Sequence, residues 1–234
     1  MLGYQLKWDA VPVHGGAPLQ IRSLLDKLQF NDDDGRAQAV GISSAAWPLF
    51  GLLWPSSHIL AAEIMVRELD GLRILEIGCG LGLASLVAHR RGADICASDA
   101  HPLTQLFLDE NTHLNQLQPM AYHEGCWHRD YPDLGQFDLI IGSDVLYERD
   151  EAGVLAGFIN RHARASCEVL IIDPNRSNRS HFQRNMVNVG FVLSETKMDV
   201  VLTDGQVYRG RKLRYVRSVT SATNCNDLSG ILRP

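Results

Sequence analysis

From about residue 71 onward, short apolar runs alternate with amphipathic stretches. A strand buried on both faces is apolar throughout, whereas a covering helix is apolar along one stripe only. The alternation therefore points to an α/β fold, a doubly wound parallel sheet wrapped by helices. Arg73 to Ile77 reads as the first strand, and Leu83 to Arg90 as a helix that Gly92 ends. Asp94 to Ser98 reads as the second strand. Pro102 opens a helix with apolar positions at Leu103, Leu106, Phe107, Leu114 and Leu117. Met120 to Glu124, Phe137 to Gly142 and Val169 to Ile172 follow as strands. Helices are expected at Glu151 to His162 and Ser180 to Asn188, a further strand at Phe191 to Lys197, and a last edge strand at Gln206 to Val216.

The first 70 residues read differently. Leu19 to Leu25 and Val40 to Ser43 are candidate strands, with a turn at Asn31 to Gly35 between them. Trp54-Pro55-Ser56-Ser57 reads as a helix start, with Ser56 or Ser57 as the cap and Ile59 to Leu69 as the body. The expected organisation is an N-terminal elaboration over 1–53 that helps cover a site, a main domain over 54–217, and a polar, mobile tail over 218–234. A chain of 234 residues, 45% hydrophobic and 21% charged, suits one domain with a full-sized core.

The net charge of -5 argues against general binding to nucleic-acid backbones. Arg209, Arg211, Lys212, Arg214 and Arg217 form either a local basic patch or the solvated face of an alternating strand. The five cysteines are an odd number with no close pair and no zinc-ligand spacing, so no metal is expected. They point to a reducing, cytoplasmic compartment. Met1 to Ala10 lacks a basic-then-apolar start, and the longest apolar run, around Ala45 to Pro55, is too short to span a bilayer. No secretory signal and no membrane partner are expected.

The chemistry concentrates in Glu76-Ile77-Gly78-Cys79-Gly80-Leu81-Gly82, between a strand and a helix. Glycines there let a ligand approach the backbone at a helix N-terminus. Leu83 stands where a dinucleotide fingerprint would place its third glycine. Glu76, an acid ahead of the loop, disfavours a pyrophosphate and suits a ligand with an amine and a sulfonium. Asp99, 21 positions after Gly78 at a strand end, is placed to hold two ribose hydroxyls.

From about Trp54 to Phe191 the chain resembles the class I, seven-strand methyltransferases that use S-adenosylmethionine, with residues 76–82 similar to their motif I. The resemblance implies a Rossmann-like, mostly parallel seven-stranded sheet with an antiparallel last strand, and S-adenosylmethionine as cofactor. It implies cofactor contacts at Glu76, Gly78, Cys79, Gly80, Gly82, Asp99 and Ala100. Gly142-Ser143-Asp144-Val145-Leu146-Tyr147 resembles the Asp-x-x-Tyr motif of a protein-lysine methyltransferase subgroup. Trp54-Pro55 resembles the subgroup's Trp near the methionine part of the cofactor, and Cys126-Trp127 its adenine frame. Asp173-Pro174-Asn175-Arg176 resembles an Asp-Pro-x-Arg turn of some members.

The resemblance implies Asp144 and Tyr147 as catalytic residues that orient an amine, with Ser143 beside the cofactor, and a protein lysine or a small amine as acceptor; a cofactor-binding scaffold without catalysis is the remaining alternative. Plainer roles stand beside these: Asp144 as a turn cap, Tyr147, Trp54 and Trp127 as packing aromatics, and Arg176 as a surface charge or an anion contact. His101, His113, His123 and His128 read as surface or packing residues. No Asn-Pro-Pro-Tyr or Asp-Pro-Pro-Tyr motif of a nucleic-acid enzyme follows the fourth strand.

Overall fold

The computed structural model of the chain describes residues 3–147, 152–202 and 205–218. The alternation of apolar runs becomes a seven-stranded sheet. Its strands are β3 (Arg73–Ile77), β4 (Asp94–Asp99), β5 (Ala121–Glu124), β6 (Phe137–Ser143), β7 (Ala163–Asp173), β8 (Val192–Val201) and β9 (Val207–Arg217). They lie in the order β5-β4-β3-β6-β7-β9-β8. Strands β3 to β7 pair in parallel; β9, expected at the sheet edge, instead inserts antiparallel between β7 and β8, which leaves β8 at the edge. The order reverses between β3 and β6, which opens a crevice beyond the carboxyl ends of those strands.

The central strands are apolar throughout because both faces are covered. Along β6, Leu139 and Ile141 join one core while Ile140 joins the other; along β7, Leu170 and Ile172 alternate with Val169 and Ile171 in the same way. The first core packs against α2 (Pro55–Val66), α3 (Leu83–Arg90) and α4 (Thr104–Leu114). The second packs against α5 (Val154–His162) and α6 (Arg179–Asn188).

The N-terminal part departs from its sequence reading. Leu19 to Leu24 is a strand (β2), but its partner is Leu6–Val11 (β1), which the sequence did not reveal because only Val11 of that strand is buried. The other edge of β2 lies on α4, where the Asn111 and Asn115 amides each accept from and donate to the backbone of Arg22 and Gln20. Two asparagines one helical turn apart thus replace a strand neighbour. Val40 to Ser43 is a turn, not a strand: it follows the short helix α1 (Arg36–Ala39), and Gly41 there has φ 83°.

The α2 start also needs correction. Its N-cap is Trp54, with Pro55 as the first helical residue and neither serine capping the helix. Ser57 instead donates to the Trp54 carbonyl, and Ser56 bonds the Tyr208 hydroxyl at 3.1 Å. The helix ends at Val66, and α4 starts at Thr104 and ends before Leu117. The expected helix start at Glu151 and the tail from 219 lie outside the described residues. The basic residues of β9 are a paired, solvated face: Arg209 meets Asp199, Arg211 Glu195, Lys212 Glu63 and Arg214 Glu168. Arg217 stacks over Phe191.

Candidate active site

The glycine loop that follows β3 is locked by hydrogen bonds from both sides. Cys79 N donates to the Ser98 carbonyl of β4, and Gly80 N donates to Asp99 Oδ2 at 2.9 Å. The other Asp99 oxygen accepts from His101 N at 2.8 Å. One carboxylate therefore clamps the loop and starts the next turn, and burial raises its pKa despite these bonds. Gly78 and Gly80 have φ of 58° and 52°; a Cβ on Gly78 would lie 2.9 Å from Val145 Cγ1, and one on Gly80 2.9 Å from the Phe50 carbonyl oxygen. Only glycine fits, and the bare backbone forms one wall of a cavity of about 380 Å3.

That cavity gathers twelve of the thirteen residues singled out from the sequence: Trp54, Gly78, Cys79, Gly80, Gly82, Asp99, Ala100, Cys126, Trp127, Ser143, Asp144 and Tyr147. Glu76 is the exception. Its side chain is 1% exposed and turns beneath the loop, where one oxygen accepts from both the N–H and the hydroxyl of Ser85 in the first turn of α3. Glu76, expected at the cofactor, is thus not among the residues that line the cavity: a buried carboxylate goes where donors are, and here those are the orphan groups of a helix start. Burial pushes it up to about 7, against the Ser85 bonds.

Trp54 bonds the Leu49 carbonyl through Nε1 and lines the cavity as well as the helix start, so packing and site roles coincide. Trp127 is half-buried near Gly78. Asp144 has φ 56°, an uncommon left-handed backbone for a non-glycine, and its carboxylate takes two bonds from Arg176, at 2.7 and 3.0 Å. Arg176 is thus paired with Asp144 and lines the cavity beside it. Tyr147 is half exposed at the mouth.

A cover from the N-terminal part was expected, but the sequence did not name its lining residues. Ile42, Leu49, Phe50 and Leu53 line the cavity from segments without periodicity that could flag them. His101, read as a surface or packing residue, is 3% exposed, stacks on Phe50 at 3.7 Å between ring centres and also lines the cavity. It thereby pins the cover to the Asp99 turn. Its position two residues after Asp99 was the available signal.

Burial holds the His101 imidazole down to about 3, with Asp32 and Arg36 contributing opposite smaller effects. Its folded pKa lies below its unfolded one, so the unfolded chain binds an extra proton between about pH 6.5 and pH 3, and stability falls as pH drops through that window. The penalty is on the order of 4 kcal/mol at its acid end. His101→Phe keeps a ring against Phe50 and cannot titrate. The difference in Tm between pH 7 and pH 4.5 is expected to narrow in this variant; an unchanged difference would show that the imidazole is already charged in the fold.

The cavity fits S-adenosylmethionine by its own chemistry. It has a glycine wall that no Cβ could occupy, an acid at the end of β4, and aromatic rings of Trp54 and Trp127 beside polar groups of Ser143 and Asp144. Among the described residues no cluster of potential metal ligands occurs, and no helix is long and apolar enough to cross a membrane.

A magnesium protoporphyrin IX methyltransferase from Synechocystis PCC 6803, solved with bound S-adenosylmethionine, superposes with a TM-score of 0.55 at 19% identity over 69% of this chain and 78% of that one. A methyltransferase from Pyrococcus furiosus superposes at 0.56, with 16% identity over 80% of this chain and 98% of the other. At these identities the likeness concerns the fold, a Rossmann-like methyltransferase sheet. The electron transfer flavoprotein beta subunit lysine methyltransferase of Xenopus laevis is 29% identical over 57% of this chain, a match that spans 55% of that protein. The protein N-lysine methyltransferase METTL21A of Danio rerio is 26% identical over 72% of this chain and 82% of its own length. The profile of a family described as lysine methyltransferase matches residues 26–189, and the chain belongs to that family of S-adenosylmethionine-dependent enzymes.

Proposed function

We propose that this protein methylates the side-chain amine of a lysine in a protein acceptor. The carrying observation is that Ser143, the last residue of β6, and Asp144 and Tyr147 just beyond it open into the same cavity as the glycine wall and Asp99. S-adenosylmethionine supplies a methyl group on a positively charged sulfur. The chain's own residues do the rest. Gly78, Gly80 and Asp99 hold the donor, the cover formed by Leu49, Phe50 and Leu53 excludes water, and Asp144 and Tyr147 orient the amine. Positioning of this kind supplies much of the rate in a displacement reaction. The reading includes a reducing, cytoplasmic setting, supported by the unpaired Cys79, Cys96, Cys126 and Cys167.

Incubation with radiolabelled donor and a cell lysate tests the acceptor class. Label in one discrete protein band, lost on Asp144→Ala, is expected. Label confined to the small-molecule fraction would replace the lysine reading with methylation of a small amine. With that acceptor in hand, Tyr147→Phe is expected to lower kcat by tenfold or more (roughly 1.4 kcal/mol) while donor affinity stays within about twofold. Equal loss of both would reduce the tyrosine to a structural part.

A further inference from the structure

Asp144 lines the cavity beside Ser143 and Tyr147, where an acceptor amine would enter, yet its carboxylate is already paired. Arg176 holds both of its oxygens, through Nε at 2.7 Å and a terminal nitrogen at 3.0 Å. The two residues come from neighbouring strand ends, β6 and β7, and both line the cavity. Arg176 is itself held by a built turn. Its N–H donates to Asp173 Oδ2 at 2.9 Å, Pro174 constrains the turn, and Asn175 sits at φ 65°. The Asn175 amide donates to the Arg209 carbonyl and accepts from the Arg211 guanidinium, which ties the turn to β9. Two left-handed non-glycine residues, Asp144 and Asn175, thus stand on the two loops that present the pair. Such backbone persists when the surroundings over-determine it.

The charge at this place decides the protonation of an acceptor. A lone carboxylate favours an ammonium ion, which has no lone pair to accept a methyl group. A carboxylate neutralised by a guanidinium does not, while its outward lone pairs still accept an N–H bond from a neutral amine. Among the described residues, the titratable groups that sense the Asp144 charge are Arg176 and Asp173 from the β7 turn and Tyr208 from β9; Arg179 of α6 faces Asp173 in turn, and Tyr147 stands on the Asp144 loop itself. Asp173 is fully buried, with Oδ1 lacking a hydrogen-bond partner, and burial pushes it up to about 6. Among the described residues, the cation that pairs with Asp144 is Arg176.

We propose that Arg176 is a positioning residue that neutralises Asp144, so that the acceptor pocket receives a lysine side chain as a free amine, its proton released to solvent at the open mouth, and does not hold it as an ammonium ion. This rests on the lysine reading above and adds to it the device by which the amine is kept reactive.

The test uses n-butylammonium, a lysine side-chain mimic, titrated at pH 7 into the full chain saturated with S-adenosylhomocysteine. Arg176→Met, which exposes an unpaired Asp144, is expected to bind the cation about tenfold more tightly than the parent chain. Arg176→Lys, which keeps the charge, is expected to stay within about threefold of the parent. Arg176→Met combined with Asp144→Asn is expected to return to the parent value. With the labelled protein as acceptor, the acid limb of kcat in Arg176→Met is expected to move about one pH unit upward, since the bound amine is then held as an ammonium ion. Equal or weaker binding of the cation by Arg176→Met, or a uniform fall in kcat without movement of the limb, would overturn the proposal. Failure of the lysine reading is seen separately, as label without a protein band in the lysate experiment.

Discussion

Replacing Asp99 with alanine is expected to weaken S-adenosylmethionine binding by about a hundredfold, read as the Kd from a calorimetric titration. The carboxylate accepts from Gly80 N at 2.9 Å and from His101 N at 2.8 Å. Its removal strips two backbone donors of a charged acceptor in a part-buried cleft. Hydrogen bonds to a charged group contribute about 1.5–3 kcal/mol each, and a hundredfold in affinity corresponds to about 2.8 kcal/mol. The loop that must present its bare backbone to the donor is thereby released, in addition to any bond the carboxylate makes to the ligand. Asp99→Asn keeps the shape and one acceptor oxygen, so its loss is expected to be nearer tenfold. An unchanged Kd in both variants would mean that the acid at the end of β4 serves neither the loop nor the ligand.

Gly80→Ala is expected to lower both stability and donor affinity. The residue has φ 52°, and the added Cβ would stand 2.9 Å from the Phe50 carbonyl oxygen, with Phe50 C and Cα at 3.7 and 3.8 Å behind it. The left-handed backbone costs a side chain about 1–2 kcal/mol. The contact is with main chain, which cannot swing away as a flexible side-chain tip can, so overpacking adds about 1–3 kcal/mol. Together these cost about 2–5 kcal/mol, and a Tm reduction of roughly 4–20 °C follows for a chain of this size. The relief available is outward movement of the Phe50 segment, which carries the His101 stack and lines the cavity, so donor affinity is expected to fall with stability. Gly92→Ala is the control. It also has positive φ, 81°, but nothing lies within 4 Å of its Cβ position, so it is expected to show only the backbone cost. Equal effects at both glycines would mean that the Phe50 contact yields freely.

The strands and helices beyond residue 71 were legible because a sheet covered on both faces imposes a repeating hydrophobic demand. Leu139, Ile140 and Ile141 must all be apolar when alternate side chains enter opposite cores. The N-terminal part was illegible for the converse reason. Strand β1 keeps its side chains largely in solvent, and β2 satisfies one edge with the amides of Asn111 and Asn115, about 90 residues distant in the chain. No local pattern announces such a partnership. Likewise Val40 to Ser43 has strand-forming residues, and the absence of a neighbouring strand, together with the turn at Gly41, overrides them.

What the sequence by itself determined about this protein was the set of residues that meet at the site. Glycine spacing, an acid closing the next strand and polar groups after a buried strand are each dictated by local backbone geometry, and twelve of thirteen candidates converge on one cavity. The tertiary structure alone decided their partners. Glu76 turned to the Ser85 donors beneath the loop, His101 was enclosed against Phe50, and Asp144 acquired Arg176 from the adjacent strand end. The physical reason is that hydrogen bonding and burial of a side chain depend on what other segments bring within about 3 Å, and a linear spacing carries no record of that.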